Sequence, residues 1–291
     1  MENSNYRLTK DIKDDKLDVN KLGEYILSLK ISDSIFQISI VDEAHKCLLL
    51  ENYVIDNVGF NDQLIKTLAG IFESHHLLKA GFWKEVKVII NNRKFALVPE
   101  SVFDKEQLSD YLALNTDIDL RSEGLHYYKQ IKSNTVVVFA ASTKLVSWLR
   151  ASYPNSAVHI IHQANTFIEG ILNYDNHTEK TMFLMCEKNT ISVAITNAND
   201  LVFFNKFATP TTVDFFKYVA SSFQLYGLDQ NASKIVVWGD VTKNSPEYME
   251  LNKFFKNVSL GGRPPFLKFN YMFDEADDQQ YFDLYSTVLC E

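Results

Sequence analysis

LSLKISDSIFQISIVDEAHKCLLLENYVI, residues 27–55, runs through three short apolar or alternating stretches broken by Ser32-Asp33-Ser34 and Asp42-Glu43-Ala44-His45. Alternation with a period of two marks strands that bury one face, and breaks this short suit hairpins. Tyr25 to Ile31, Ile35 to Val41 and Cys47 to Val54 therefore predict an antiparallel meander. About 155 residues later MFLMCEKNTISVAITNANDLVFFNKF, residues 182–207, writes the same unit again, as Met182 to Cys186, Thr190 to Thr196 and Leu201 to Phe207.

The segments after the two meanders also match. After the first comes VGFNDQLIKTLAGIFESHHLL, with Val58, Leu64, Ile65, Leu68, Ile71, Phe72 and Leu78 at helical spacing, and then the strand EVKVII. After the second comes TVDFFKYVASSFQLYG, with Pro210 near its start and Gly227 at its end, and then KIVVWG. SPEYMELNKFF reads as a further helix with Ser245 as N-cap and Pro246 at its first position, and DDQQYFDLYSTVLC as a last helix with acidic residues in its first turn. Between the repeats, FALVPESVF, GLHYYKQI, TVVVFA and AVHII read as strands and STKLVSWLRASYP as a helix, a small α+β insertion over about 95–162. A linking helix spans Ala164 to Tyr174. The expected organisation is a polar tail over 1–20, a first domain over 21–175 that includes the insertion, and a second over 176–291.

Composition narrows the function. The chain is 46% apolar and 23% charged, which suits a globular protein with room for two cores. A net charge of −8 disfavours general affinity for nucleic acid, which depends on Lys and Arg at phosphates. No apolar run approaches the length of a membrane span. Cys47, Cys186 and Cys290 lack metal-ligand spacing, and the first two fall in apolar strands where a thiol acts as a small hydrophobe. A cytoplasmic location is expected.

Three adjacent strands, then a helix crossing to a fourth, form a ribonuclease H-like unit. Two such units in one chain resemble the actin-like ATPase superfamily, which includes actin, hexokinase-like sugar kinases and Hsp70. The segment around TVVVFAASTKLVSWL and AVHII narrows the resemblance to actin-like cell-division and pilus-assembly proteins, which carry an extra subdomain in the first half. The chain is also similar to a family of uncharacterised bacterial proteins with this fold. The implied class is α/β, with two ribonuclease H-like domains, each β-β-β-α-β-α, and a small α+β subdomain inserted in the first.

The resemblance implies where a nucleotide would sit. ATP-using relatives place Asp-x-Gly at the first hairpin turn of each half, the Asp to organise Mg²⁺ and the Gly to let backbone approach phosphate. Here Lys30 stands at the first Asp position and Ser32 at the Gly position, or Ser28 and Lys30 if the register slips. Met185-Cys186-Glu187 stands at the second turn. The adenosine-binding Gly-Gly survives as Gly239-Asp240. Lys30, Ser32, Glu187, Gly239 and Asp240 are therefore the candidate cleft positions. Glu187 would repel phosphate, since two like charges about 4 Å apart cost about 4 kcal/mol at an effective dielectric of about 20. Lys30 would attract it.

Other chemistries find little support. A ribonuclease H-like nuclease needs a carboxylate on its first strand, and YILSLKI has none. Asp117 with Asp119, and Glu275 with Asp277 and Asp278, read as solvated faces or caps. His159 and His162 lie on opposite faces of a strand, and His75 and His76, neighbours on a helix, point apart. Three readings stay open. One is a non-catalytic protein that works through a protein partner, with no cofactor. The second is a nucleotide-binding switch or weak ATPase using ATP or ADP. The third is a small-molecule kinase, for which no acceptor base is evident. Partner and oligomeric state are not legible in the sequence.

Overall fold

The computed structural model describes residues 5–56, 59, 62–174 and 179–291. In chain order its elements are β1 (Tyr6–Lys13), β2 (Ile26–Ile31), β3 (Ile35–Val41), β4 (Cys47–Ile55), α1 (Asp62–Ser74), β5 (Glu85–Ile90), β6 (Phe95–Pro99), α2 (Leu108–Ala113), β7 (Glu123–Lys129), β8 (Thr135–Ser142), α3 (Thr143–Ser152), β9 (Ala157–His162) and α4 (Gln163–Tyr174). The second half adds β10 (Thr181–Glu187), β11 (Thr190–Asn197), β12 (Asp200–Ala208), α5 (Thr212–Leu225), β13 (Lys234–Gly239), α6 (Pro246–Phe254), β14 (Val258–Leu260) and α7 (Phe282–Tyr285). Three sheets result, ordered β1-β4-β3-β2-β5-β9, β12-β11-β10-β13-β14 and β6-β8-β7.

The first two sheets share one plan. The β4-β3-β2-β5-β9 order of one is the β12-β11-β10-β13-β14 order of the other, antiparallel through the meander and parallel beyond it. Register fixes the equivalences. Ile31 pairs with Phe36 and Ile90, and Cys186 pairs with Ile191 and Gly239. Beyond them, Asn91 N donates to Ile31 O at 2.9 Å and Asp240 N to Cys186 O at 2.8 Å. Lys30 therefore corresponds to Met185, Ser32 to Glu187, Ile90 to Gly239 and Asn91 to Asp240. The fold is the actin-like one, two ribonuclease H-like halves.

Burial explains the pattern. Leu27, Leu29 and Ile31 of β2 pack with Phe36 and Ile38 of β3 against Leu64, Leu68 and Ile71 of α1. Met182, Leu184 and Cys186 of β10 pack likewise against Phe215, Val219 and Phe223 of α5. On the opposite side α4 is wrapped by protein, buried from Gln163 to Leu172. It joins the second sheet (Phe183, Met185, Trp238), α7 (Phe282) and the insertion (Phe95, Val137, Phe139) in one core. Gly170 permits the contact with α7, because a Cβ there would meet Ser286 Oγ at 2.3 Å and a Phe282 ring carbon at 2.7 Å.

Four expectations need correction. Residues 6–13 are not tail but strand, paired antiparallel with β4, because Ile12 is buried with Val41, Cys47 and Leu50. The separate inserted sheet ends at Ser142, whereas α3 packs on the first core and β9 pairs parallel with β5, so both belong to the first half. α1 stops at Ser74, leaving His75 and His76 beyond it with their rings stacked 5.7 Å apart. The last helix does not start at Asp277: Tyr281 has φ 62°, outside the right-handed helical region, and α7 begins after it. Val58 lies outside the described residues.

Candidate functional site

The hairpin turns of the two halves face each other across a cleft of about 1640 Å³ walled by both sheets and by the insertion. The Ser32 hydroxyl closes the first turn, accepting from Ser34 N at 3.2 Å and Ile35 N at 2.9 Å. Lys188-Asn189 makes the second turn in two residues, with Asn189 at φ 59°. Strand alternation then decides which side chains meet. Leu29 and Ile31 enter the α1 core, so Lys30 points to the opposite face, where α4 and α7 lie.

There the two halves are bridged. Lys30 Nζ donates to Glu187 Oε1 at 2.8 Å and lies 2.5 Å from Asp283 Oδ2. Lys206 Nζ lies 2.8 Å from Glu187 Oε2 and also donates to Asn91 Oδ1. Asn91 Nδ2 donates to Glu187 Oε1 at 2.8 Å, and Gln163 Nε2 to Asp283 Oδ2 at 3.0 Å. Two ammoniums and two carboxylates cancel, with Lys30 at 3%, Lys206 at 8% and Asp283 at 1% exposure. Buried charges are tolerated when paired and hydrogen-bonded in this way.

Pairing outweighs burial in the electrostatics. Burial by itself would lower the Lys30 ammonium, but Asp283 and Glu187 hold it above the ordinary lysine range. Burial would raise the Glu187 carboxyl, but Lys206 and Lys30 hold it well below the usual carboxylate range. His162, at the end of β9, is pushed down to about 3 by burial and by Lys206, so its ring is neutral. Its Nδ1 accepts from Ala164 N at 3.1 Å, which leaves Nε2 to donate to Asn92 O at 3.1 Å.

Gly239 and Asp240 sit apart from this cluster. Gly239 has φ 98°, and a Cβ there would fall 2.0 Å from Cys186 O. The close approach of β13 to β10 thus accounts for the glycine. Asp240 opens onto the cleft, yet surrounding protein, and then Glu187, raise its carboxyl. Of the five positions singled out in the sequence, Lys30 and Glu187 meet directly. Ser32 and Asp240 line the cleft, and Gly239 does not. Asn91, Gln163, Lys206 and Asp283 were not foreseen. Lys206 carried a signal, being a lysine two residues from Phe204 on one face of an aromatic strand.

Other groups remain separate. His159 is exposed while His162 is buried, and His75 donates into the Glu51 carboxylate at 2.9 Å. Among the described residues no group of three His, Cys, Asp or Glu converges as a metal site. The donor set does not fit a metal-bound triphosphate. A lysine paired with two carboxylates occupies the position the resemblance gives to the metal-ordering Asp, and its counterpart Met185 has no side-chain oxygen to offer. The Glu187 carboxylate stands where backbone would approach phosphate.

Comparison with known proteins agrees with the architecture. The model of a family described as "Protein of unknown function (DUF3822)" matches residues 14–258. No curated protein matches the chain. A Bacteroides thetaiotaomicron protein with actin-like ATPase fold and unknown function is 21% identical, with a TM-score of 0.79 over 94% of this chain and 99% of that one. A chain of the PilM–PilN type IV pilus biogenesis complex is 11% identical, with a TM-score of 0.61 over 91% of this chain and 97% of that one. At these identities the likeness is one of fold. Among the described residues, no helix is long and apolar enough to cross a membrane.

Proposed function

The chain belongs to the DUF3822 family of proteins of unknown function, and we propose that it is a non-catalytic, actin-like-fold protein that works by contact with a protein partner in the cytoplasm. The carrying observation is the Lys30–Glu187 pair, joined by Lys206 and Asp283, which spans the two halves at the turns where the resemblance to ATP-using relatives would put the phosphates. Internal charge there neutralises itself and ties the two halves together. Breaking it to admit a triphosphate would strand buried charge, at a cost of about 3–5 kcal/mol. A protein partner is in keeping with a solved relative of this fold described as part of a PilM–PilN complex. Cys47, Cys186 and Cys290 are all buried and unpaired, in keeping with a reducing compartment.

Thermal melting with millimolar ATP or ADP, with and without Mg²⁺, tests this. A ligand present at about 100 times its Kd adds about 2.7 kcal/mol, a shift of several degrees. The expected result is no shift, and no ATP hydrolysis above that of Lys30→Ala. A nucleotide-dependent shift would establish the switch reading instead, for which the size of the cleft speaks, with Lys66, Arg93 and Lys188 on its walls and without an ion pair among the described residues.

A further inference from the structure

We propose that the outer edge of β12 receives an extended segment of the partner protein, added as an antiparallel strand with acidic residues directed to the cleft. This rests on the protein-contact reading and specifies where contact is made. The two halves differ here in a way their common plan does not require. In the first sheet the β4 edge is covered by β1, from Tyr6 opposite Ile55 to Lys13 opposite Leu49. In the second, β12 holds the place of β4 and no described strand covers it.

The edge presents free backbone. Thr209 N donates to Asn189 O, and β11 pairs with β12 in the same alternation, so Phe203, Asn205 and Phe207 bond inward. Phe204, Lys206 and Ala208 turn their N–H and C=O groups outward. The Lys206 amide is taken by the neighbouring Asn205 Oδ1 at 2.8 Å. Among the described residues nothing accepts from the Phe204 and Ala208 amides, which remain to pair with an incoming strand. Open edges of this kind are normally shielded by prolines or charges, and DLVFFNKFA has no proline and, over its last six residues, only the charge of Lys206, which is bonded inward.

The edge is also reachable and has a charge preference. Phe204, Asn205, Lys206 and Ala208 all line the cleft. Within the same walls Asp62 is paired with Lys144, Glu123 with Lys94, Asp119 with Arg121 and Glu187 with its two lysines. That leaves Lys66, Arg93 and Lys188 exposed and without an ion pair among the described residues, against Asp33 and Asp240. Lys188 stands in the turn beside the Thr190–Ala208 pair, at the end of the edge. Ladder hydrogen bonds would supply affinity, and these cations would select acidic residues.

A display library of random octapeptides, selected on the whole protein, provides the probe, and enriched peptides are then synthesised. The expected result is enrichment of extended sequences carrying Asp or Glu. They should slow hydrogen exchange at the Phe204 and Ala208 amides by about tenfold or more. Ala208→Pro removes an outward N–H that β11 does not use, and should weaken binding about tenfold; Lys188→Glu should weaken it about fivefold. No enrichment, or protection confined to other amides, overturns the β12 site; the latter leaves the protein-contact reading standing, which the nucleotide melts test separately. A concentration-dependent dimer that protects these same amides would also overturn it, assigning the edge to a second copy. Exchange on the wild-type protein decides the matter even if Ala208→Pro fails to fold.

Discussion

The two hairpin turns that face the cleft are built on one ladder and carry opposite chemistry. At equivalent positions the first half has Lys30 and Ser32 and the second has Met185 and Glu187. One turn closes on its own serine hydroxyl, and the other sends a carboxylate across to the first half's lysine. Two copies of a strand unit need not keep two copies of a site. Backbone pairing preserves the sheet whatever its outward side chains are, so those side chains are free to diverge toward each other.

A second contrast lies within the interior. Glu187 is a largely buried carboxylate compensated by two lysines, and Glu169 a fully buried one without an ion pair among the described residues. Glu169 Oε1 accepts from Ile131 N, its Oε2 has no hydrogen-bond partner among the described residues, and burial raises its carboxyl to about 7. The two groups therefore respond to acid with opposite signs. Stability from Glu187 is present above its unfolded pKa near 4.5 and is lost as pH falls below it. Stability from Glu169 is greatest at low pH, where both states are protonated, and is lost as pH rises from about 4.5 to about 7.

The largest test of the first contrast is Lys30→Met. It should cost about 3–5 kcal/mol in urea unfolding, because Glu187 loses one of its two lysines and Asp283 its partner Lys30. A loss under about 1 kcal/mol would mean that the bridge does not hold the lobes. Next is Gly239→Ala, expected to cost about 2–4 kcal/mol because its Cβ meets Cys186 backbone at φ 98°. At the equivalent Ile90, Ile90→Val should cost only about 0.5–1.5 kcal/mol. Equal costs would break the assigned equivalence. Opposite in sign, and present only at high pH, is Glu169→Gln. At pH 8 it should stabilise by up to roughly 3 kcal/mol, and by nothing near pH 4. A pH-independent effect would show that Glu169 is not the group that titrates.

Several features were written plainly in the sequence. Alternation in residues 27–55 and 182–207 and the helices after them were enough to give the duplicated fold, because a strand that buries one face must repeat every second residue. The absence of Asp-x-Gly at both turns was equally visible. β1 was missed because the alternation of Tyr6, Leu8 and Ile12 is diluted by Arg7, Lys10 and Lys13 and interrupted by an irregularity between Leu8 and Lys10. The position of α3 and β9 was misjudged because an insertion has no local mark at its exit. Only pairing with β5 shows where the parent sheet resumes.

Sequence by itself determined the repeated scaffold and the presence of a lysine at one hairpin turn and a glutamate at the other, with Asp-x-Gly at neither. Tertiary structure alone decided that the two would meet, and that Lys206, Asp283 and Asn91 would complete the group. The reason is physical: secondary structure is encoded by neighbours a few positions apart, whereas a buried charge is satisfied by whatever the fold brings within 3 Å, here from 157 residues away.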